Sequence, residues 1–238
     1  MTRPLTVHLL RHGEVYNPEH VLYGRLAGFS LSARGLAMAE RVAEVLTAVP
    51  AGRARVGLVA SSPLQRARET AGPTAAALGL PVETDDRLIE AASMLQGRRV
   101  DRSVLRDPGF VRSLAHPLRP GWGEPYREIA DRMWAALADA APRADAAGCA
   151  ALLVSHQLPV WTARRFGERR RLWHDPRSRQ CSLASLTTLT FDAERLPPRG
   201  PAWPTALRDA LVGVDYSEPA HDLLAGADDV MQPQGAVA

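Results

Sequence analysis

The chain has 238 residues, of which 46% are hydrophobic and 23% charged, and its formal net charge is +3. This composition is average for a globular protein and excludes global disorder, while the length suits one α/β domain of ordinary size. All 29 basic residues are arginine. The absence of lysine excludes Schiff-base chemistry, pyridoxal-phosphate enzymes and the lysine-dependent phosphate loop.

Cysteine content and hydropathy exclude further classes of protein. Cys149 and Cys181 form no Cys-x-x-Cys pair, which argues against a disulfide framework or a thiolate zinc site. No apolar run approaches the ~20 residues of a membrane span, and the first residues lack the pattern of a secretory signal. We therefore expect a cytoplasmic protein with no membrane partner. Residues 1–191 carry 26 arginines against 18 acidic residues, whereas 192–238 carry 3 against 8.

Apolar spacing predicts strands that alternate with helices along the chain. Short runs of β-formers predict strands, and apolar residues at helical spacing predict the helices between them. Such alternation is typical of a three-layer α/β/α sandwich with a mostly parallel central sheet. The predicted strands cover residues 6–10, 56–60, 82–84, 150–154 and 183–191, and the predicted helices cover 32–46, 64–78, 126–141 and 159–166.

The domain organisation follows from the same patterns. We expect one catalytic domain over residues 1–191, with no internal repeat. Residues 91–121 fit neither period and are interpreted as a helical excursion over the sheet edge, where a substrate lid would lie. Residues 192–238 begin with four closely spaced prolines and continue as an acidic stretch. This segment is predicted to be a tail that wraps the body or is partly disordered.

Three predicted strands end in polar residues that carry chemistry: Arg11-His12, Ser61-Ser62 and Ser155-His156. In open parallel sheets, active sites gather beyond the carboxyl ends of the strands, so these side chains should converge. Further arginine, including Arg66, follows on the next helix, and the carboxylate Glu90 follows the next strand.

Two imidazoles among arginines indicate an anion site. Arginine forks bind phosphate oxygens bidentately and keep their charge when buried. A neutral imidazole beside bound phosphate can act as nucleophile while a carboxylic acid protonates the leaving oxygen. The second interpretation, zinc held by His12, His156 and Glu90, is disfavoured because nearby guanidinium groups would repel a metal ion.

The motif Arg11-His12-Gly13-Glu14 after an N-terminal strand resembles the signature of the histidine phosphatase superfamily, which includes the cofactor-dependent phosphoglycerate mutases. Four further features appear in the order typical of that family, so the resemblance covers about residues 5–191. They are Leu31-Ser32 with Gly35, Ser62-Pro63-Leu64-Gln65-Arg66-Ala67 with Thr70-Ala71, Arg87-Leu88-Ile89-Glu90, and Val154-Ser155-His156.

The resemblance implies a role for each matching residue. His12 would be the nucleophile that becomes a transient phosphohistidine, while Arg11, Arg66 and His156 would hold the phosphoryl oxygens. Glu90 would protonate the leaving group and then act as base for water. No metal or organic cofactor is implied.

Flanking residues complete the predicted site. The resemblance also places Asn17 and Arg25 on a segment that lines the phosphate or substrate pocket. If Glu90 faces a closed pocket, its pKa should be raised so that it is protonated near neutral pH. If the match of this chain to the family motif is shifted by a few residues, Asp85 or Asp86 would be the acid instead of Glu90.

Several departures from the family pattern favour a phosphatase over a glycolytic mutase. Gln157 stands where the family usually has glycine after the second histidine, and we predict that its side chain contacts substrate. Asn17 lies one residue closer to Arg11 than in the mutases. The Gly-x-Trp-x-Gly-like stretch after the acid is replaced by residues 91–97, and the lysines that mutases use there are absent.

We therefore predict a phosphatase that hydrolyses a small-molecule phosphate monoester through a phosphohistidine on His12. The alternatives are a cofactor-dependent phosphoglycerate mutase and a non-catalytic protein that binds a phospho-ligand. The arginines between residues 164 and 171 are interpreted as a solvated helix end rather than a nucleic-acid site, because no stacking motif accompanies them. A homodimer is the default expectation for a soluble enzyme.

Overall fold

The computed structural model describes residues 3–52, 54–99, 123–175, 178–196 and 203–229. It contains a six-stranded sheet in the order β3-β2-β4-β1-β5-β6. Strands β1 to β4 are parallel to one another, and β5 is antiparallel to both of its neighbours. The strands are β1 (Pro4–Arg11), β2 (Val56–Ser61), β3 (Val82–Thr84), β4 (Ala150–Ser155), β5 (Leu186–Asp192) and β6 (Leu211–Ser217).

Helices cover both faces of this sheet, which gives the predicted three-layer α/β/α sandwich with a mostly parallel sheet. Side chains of β1 point alternately to opposite faces: Val7 and Leu9 pack in one core, and Leu10 packs in the other. The helices are α1 (Ala33–Thr47), α2 (Gln65–Leu78), α3 (Tyr126–Ala147), α4 (Gln157–Gly167) and α5 (Trp203–Asp209). Helices α3 and α4 contribute to the first core, and α1 and α2 contribute to the second.

Local sequence explains where these helices begin and end. The Ser32 hydroxyl accepts a hydrogen bond from the Gly35 N–H at 3.0 Å and caps α1. Gly79 ends α2 in the left-handed conformation, with φ of 66°. Helix α3 continues through Pro142 and beyond residue 141, where the prediction ended, because its later residue Ala144 is buried in the core. The helical spacing of apolar residues over 32–46 includes Leu36 in the predicted apolar face of α1, but this leucine is 45% exposed.

Strand β6 lies within the segment that was predicted to be a tail. It pairs antiparallel with β5 and so extends the sheet beyond residue 191. Its burial alternates only between intermediate and exposed positions, which explains why the apolar pattern did not predict a strand. Residues 197–202 and 230–238 of that segment lie outside the described residues.

The predicted lid is described only in part. Residues 91–99 form turns rather than the predicted helix, and the Gly97 N–H donates to the Leu22 carbonyl at 2.8 Å. One isolated antiparallel β-bridge pairs Ser93 with Gly123, and a second pairs Val21 with Arg99. Residues 100–121 of the predicted lid lie outside the described residues.

Candidate active site

The ends of three parallel strands converge as predicted. Arg11 at the end of β1 is in register with Ser155 at the end of β4. The His12 N–H then donates to the Ser155 carbonyl at 3.1 Å, and the Ser62 N–H donates to the Val154 carbonyl at 2.9 Å. These backbone bonds fix the positions of the two segments that carry the predicted histidines.

A close backbone crossing holds the loop after β1 in place. A Cβ atom on Gly35 would lie 2.0 Å from the Glu14 carbonyl oxygen, and one on Gly13 would lie 2.6 Å from the Gly35 carbonyl oxygen. Both contacts are with backbone atoms that cannot rotate away, so only glycine fits at these points. The Gly13 N–H also donates to the Thr70 hydroxyl at 3.1 Å, which ties the same loop to α2.

His12 is buried and held as a neutral imidazole. Its Nδ1 lies 2.7 Å from the Gly13 carbonyl oxygen, and only a protonated Nδ1 can make that hydrogen bond. Burial lowers the pKa of His12 well below the ordinary value, and the charges of Arg66 and Arg11 lower it further. The remaining lone pair is on Nε2, as a nucleophile requires.

Arg11 and Arg66 bring two buried guanidinium groups to the same site. Arg66 donates from Nη2 to the Gly24 carbonyl at 2.7 Å and lies over the Tyr23 ring, 4.6 Å from its centroid. Arg11 donates from Nη1 to the Cys181 carbonyl at 2.7 Å. Within the described part of the chain, the Nε atoms of both arginines are buried without a hydrogen-bond partner.

His156 faces His12 across the site. Their ring centroids are 5.1 Å apart, and the ring planes meet at 61°. The Nε2 of His156 lies 2.8 Å from the Ser62 hydroxyl, while its Nδ1 is buried with no partner among the described residues. Burial lowers the pKa of His156 well below its ordinary value, and Arg66 is the largest of the charges that add to the effect.

Three nitrogen atoms at the site are buried without a hydrogen-bond partner among the described residues. They are Arg11 Nε, Arg66 Nε and His156 Nδ1. Leaving a buried donor unsatisfied costs about 1–3 kcal/mol, so three such atoms around one imidazole favour a site for a ligand or water. Donors of this kind suit the oxygens of a phosphoryl group.

Glu90 is buried and interacts electrostatically with the arginines of the site. Burial raises the pKa of its carboxyl group, whereas the Ala91 N–H at 2.8 Å and the charges of Arg66 and Arg11 act to lower it. The net direction is upward, as predicted from the sequence. Asp85, the alternative acid, instead bonds Arg87, and its pKa is lowered despite the opposing effect of burial.

The three other residues that were predicted to contact substrate form hydrogen bonds or ion pairs within the protein. Asn17 bonds the backbone of Val21 through both its amide nitrogen and its amide oxygen. Arg25 donates to the Glu90 carbonyl at 2.6 Å and pairs with Glu124 at 2.9 Å. Gln157 accepts a hydrogen bond at 3.1 Å from Arg179, while its Nε2 is buried without a described partner. A substrate contact of these residues stays a prediction.

Three residues at or beside the site were not singled out by sequence reasoning. Tyr23 lies in a loop, 6.2 Å from His12 between ring centroids, and burial raises its pKa to about 12. Arg179 is buried against Gln157 and His174. Asp229 pairs with Arg11 from near the C-terminus. None of these three directly follows a predicted strand. Ser62 was named at the end of a predicted strand, and the structure adds its contact with His156.

Across the described residues, no group of three or more His, Cys, Asp or Glu side chains could hold a metal ion. No helix in that same part of the chain is long and apolar enough to cross a membrane.

Comparisons with known proteins identify the superfamily and agree with this fold. A profile of the Histidine phosphatase superfamily (branch 1) matches residues 7–199, and the chain belongs to this superfamily. Uncharacterized protein Rv0525 of Mycobacterium tuberculosis is 49% identical over 222 residues, which cover 92% of this chain and 99% of that protein. The probable phosphoglycerate mutase GpmB of Salmonella newport is 32% identical over 202 residues, covering 76% of this chain and 84% of the other.

A solved structure gives the corresponding three-dimensional match. The mycobacterial glucosyl-3-phosphoglycerate phosphatase Rv2419c superposes with a TM-score of 0.67 at 25% sequence identity. The match covers 91% of this chain and 99% of that protein. The chain is thus similar both to a phosphatase and to a probable mutase of the same superfamily.

Proposed function

We propose that this protein is a phosphatase that hydrolyses a small-molecule phosphate monoester through a phosphohistidine on His12. The observation that carries the proposal is the set of buried, unpartnered donors on Arg11, Arg66 and His156 beside that imidazole. Their positions supply what phosphoryl transfer needs most, which is positioning and charge stabilisation of the transferred group.

The first half of the reaction forms a bond from His12 Nε2 to phosphorus. The phosphorus–oxygen bond of the ester breaks at the same time, and the leaving oxygen takes the proton of Glu90. A raised pKa keeps Glu90 protonated at a pH where an ordinary carboxyl group is ionised. Arg11, Arg66 and His156 bind the phosphoryl oxygens as charge accumulates on them.

The second half returns the enzyme to its starting state. Glu90, now a carboxylate, removes a proton from water, and the water oxygen attacks phosphorus as the bond to Nε2 breaks. Inorganic phosphate leaves, His12 is again neutral and Glu90 is again protonated. In a mutase the phosphoryl group would instead pass from His12 to a bound acid.

The experiment measures inorganic phosphate released from a panel of phosphate monoesters that includes 3-phosphoglycerate. His12→Ala should abolish release, whereas His221→Ala, at an exposed histidine, should leave it unchanged. Rapid quenching of the wild type should trap a phosphoryl group that is labile to acid and stable to base, as expected for phosphohistidine.

Two other results would support the alternatives. Similarity to GpmB favours the mutase as the second candidate. Formation of 2-phosphoglycerate from 3-phosphoglycerate, faster than phosphate release from any ester, would establish that activity. Tight binding of phosphate esters with no turnover and no trapped phosphoenzyme would indicate a binding protein and overturn the proposal.

A further inference from the structure

Arg11 is held by an aspartate from the other end of the chain. Its Nη1 and Nη2 donate to the two carboxylate oxygens of Asp229 at 2.8 and 2.7 Å. This is a bidentate pair between residues separated by 218 positions, and the side chain of Arg11 is almost completely buried. Such fork-to-fork pairs fix the orientation of the guanidinium plane as well as its position.

The pair uses only one edge of the guanidinium group. Nη1 has two N–H donors, which are taken by Asp229 and by the Cys181 carbonyl at 2.7 Å. One donor of Nη2 is directed to Asp229. The Nε–H and the second Nη2–H lie together on the other edge of the fork, and Nε has no partner in the described part of the chain. That edge is available to a phosphoryl group while Asp229 stays bound.

The C-terminal segment places the Asp229 carboxylate firmly. The Asp228 N–H donates to the Glu14 carboxylate at 2.7 Å, and the Asp228 side chain lies 3.0 Å from His20. Ala227 is buried in the core shared with α1 and α2. The carboxylate is therefore positioned by packing and hydrogen bonds on the loop that follows β1.

We propose that Asp229 is a positioning residue that holds Arg11 with its Nε edge turned toward the phosphoryl group of the substrate. This inference rests on the proposed function, because it assumes that Arg11 binds phosphate. The opposite interpretation is that Asp229 occupies the phosphate site itself and must leave before substrate binds.

The two interpretations predict opposite signs for the same substitution. If Asp229 positions Arg11, its removal lets the guanidinium rotate and weakens phosphate binding. If Asp229 competes with phosphate, its removal tightens phosphate binding. Loss of the negative charge alone would also tighten binding of an anion. Weaker binding in a variant without that charge is therefore a specific sign of positioning.

The experiment measures binding of inorganic phosphate and of orthovanadate to the wild type, Asp229→Asn and Asp229→Ala. We expect both substitutions to weaken binding by about 10- to 100-fold and to lower kcat/KM by a similar factor. Asp229→Glu should recover part of the loss. The matched control is Asp222→Asn in the same C-terminal segment, where Asp222 faces Arg41 on the surface at 3.6 Å.

A double-variant cycle separates positioning from a general effect on folding. In an Arg11→Ala background, Asp229→Ala should weaken phosphate binding no further, because its only route to the ligand has been removed. Unchanged or tighter binding in the single Asp229 variants would overturn the proposal. If the wild type neither binds phosphate nor releases it from esters, the proposed function fails together with the inference; if it does both, only the inference is at stake.

Discussion

The Ser62 hydroxyl lies 2.8 Å from Nε2 of His156, and this contact sets which nitrogen of the histidine faces the site. The Leu64 N–H also donates to the same hydroxyl oxygen at 3.3 Å, and we assign the hydroxyl hydrogen to Nε2. A neutral His156 then carries its proton on Nδ1, the atom that is buried without a described partner. Through its contact with Ser62, His156 thus presents an Nδ1–H donor to the proposed phosphoryl site.

We expect Ser62→Ala to weaken phosphate binding by about 3- to 10-fold, which is the effect of losing one neutral hydrogen bond. The loss should appear in the dissociation constant of orthovanadate, measured by competitive inhibition of phosphate release. Ser178→Ala is the control, because Ser178 is exposed and its hydroxyl donates to the nearby Asp175 carbonyl. An unchanged vanadate constant in Ser62→Ala would mean that the serine does not orient His156.

Gly35→Ala should destabilise the fold through the backbone crossing beneath the site. A methyl group there would lie 2.0 Å from the Glu14 carbonyl oxygen, so the loop must move. We expect the free energy of unfolding to fall by about 1–3 kcal/mol or more, measured by urea denaturation. Leu36→Ala, at the next and 45% exposed position, should change it by less than about 0.5 kcal/mol. Equal effects of the two substitutions would contradict the crossing argument.

Buried histidine should make the protein less stable in acid. Burial lowers the pKa of His8 to about 4, and its Nδ1 lies 2.9 Å from the Thr188 hydroxyl. In the unfolded chain the pKa is about 6.5, so the unfolded state binds more protons between these two values. This contribution is fully present above pH ~6.5 and is lost as the pH falls to ~4.

We expect His8→Gln to flatten the dependence of stability on pH within that window. The difference between the two pKa values corresponds to at most about 3 kcal/mol of the free energy of unfolding, once the partial exposure of His8 is taken into account. Urea denaturation at several pH values measures it, with His221→Gln, at an exposed histidine, as the control. Parallel curves for the wild type and His8→Gln would show that His8 is not responsible.

Most of the fold, and the centre of the site, could be predicted because the signals are local. Apolar runs such as Val7 to Leu10 fix buried strands, and parallel strands must bring their carboxyl ends to one edge. His12 and His156 follow such strands directly. Leu36 shows the limit of the pattern, since a leucine at helical spacing can still face solvent.

The unpredicted parts depend on contacts between distant residues. Strand β6 is formed by pairing with β5, and its own sequence has no buried alternation. Asp229 contacts Arg11 across 218 positions of the chain, so no spacing rule brings the two together. Asn17 is bonded to Val21 by a local turn, which the family resemblance did not reveal.

Substitution of Glu90 provides the sharpest test of the proposed chemistry, because its effect should depend on the leaving group of the ester and on the pH. Burial raises the pKa of Glu90, so its proton is lost, and kcat/KM falls, at a higher pH than for an ordinary carboxyl group. Glu90→Gln should remove this basic limb and slow hydrolysis of an alkyl phosphate by about 10²- to 10⁴-fold. The loss should be much smaller with p-nitrophenyl phosphate, whose leaving oxygen needs no proton. Asp86→Asn, at the neighbouring acid, should leave both rates and the pH profile unchanged. Equal losses with the two esters, or an unaltered basic limb in Glu90→Gln, would assign the proton to another group.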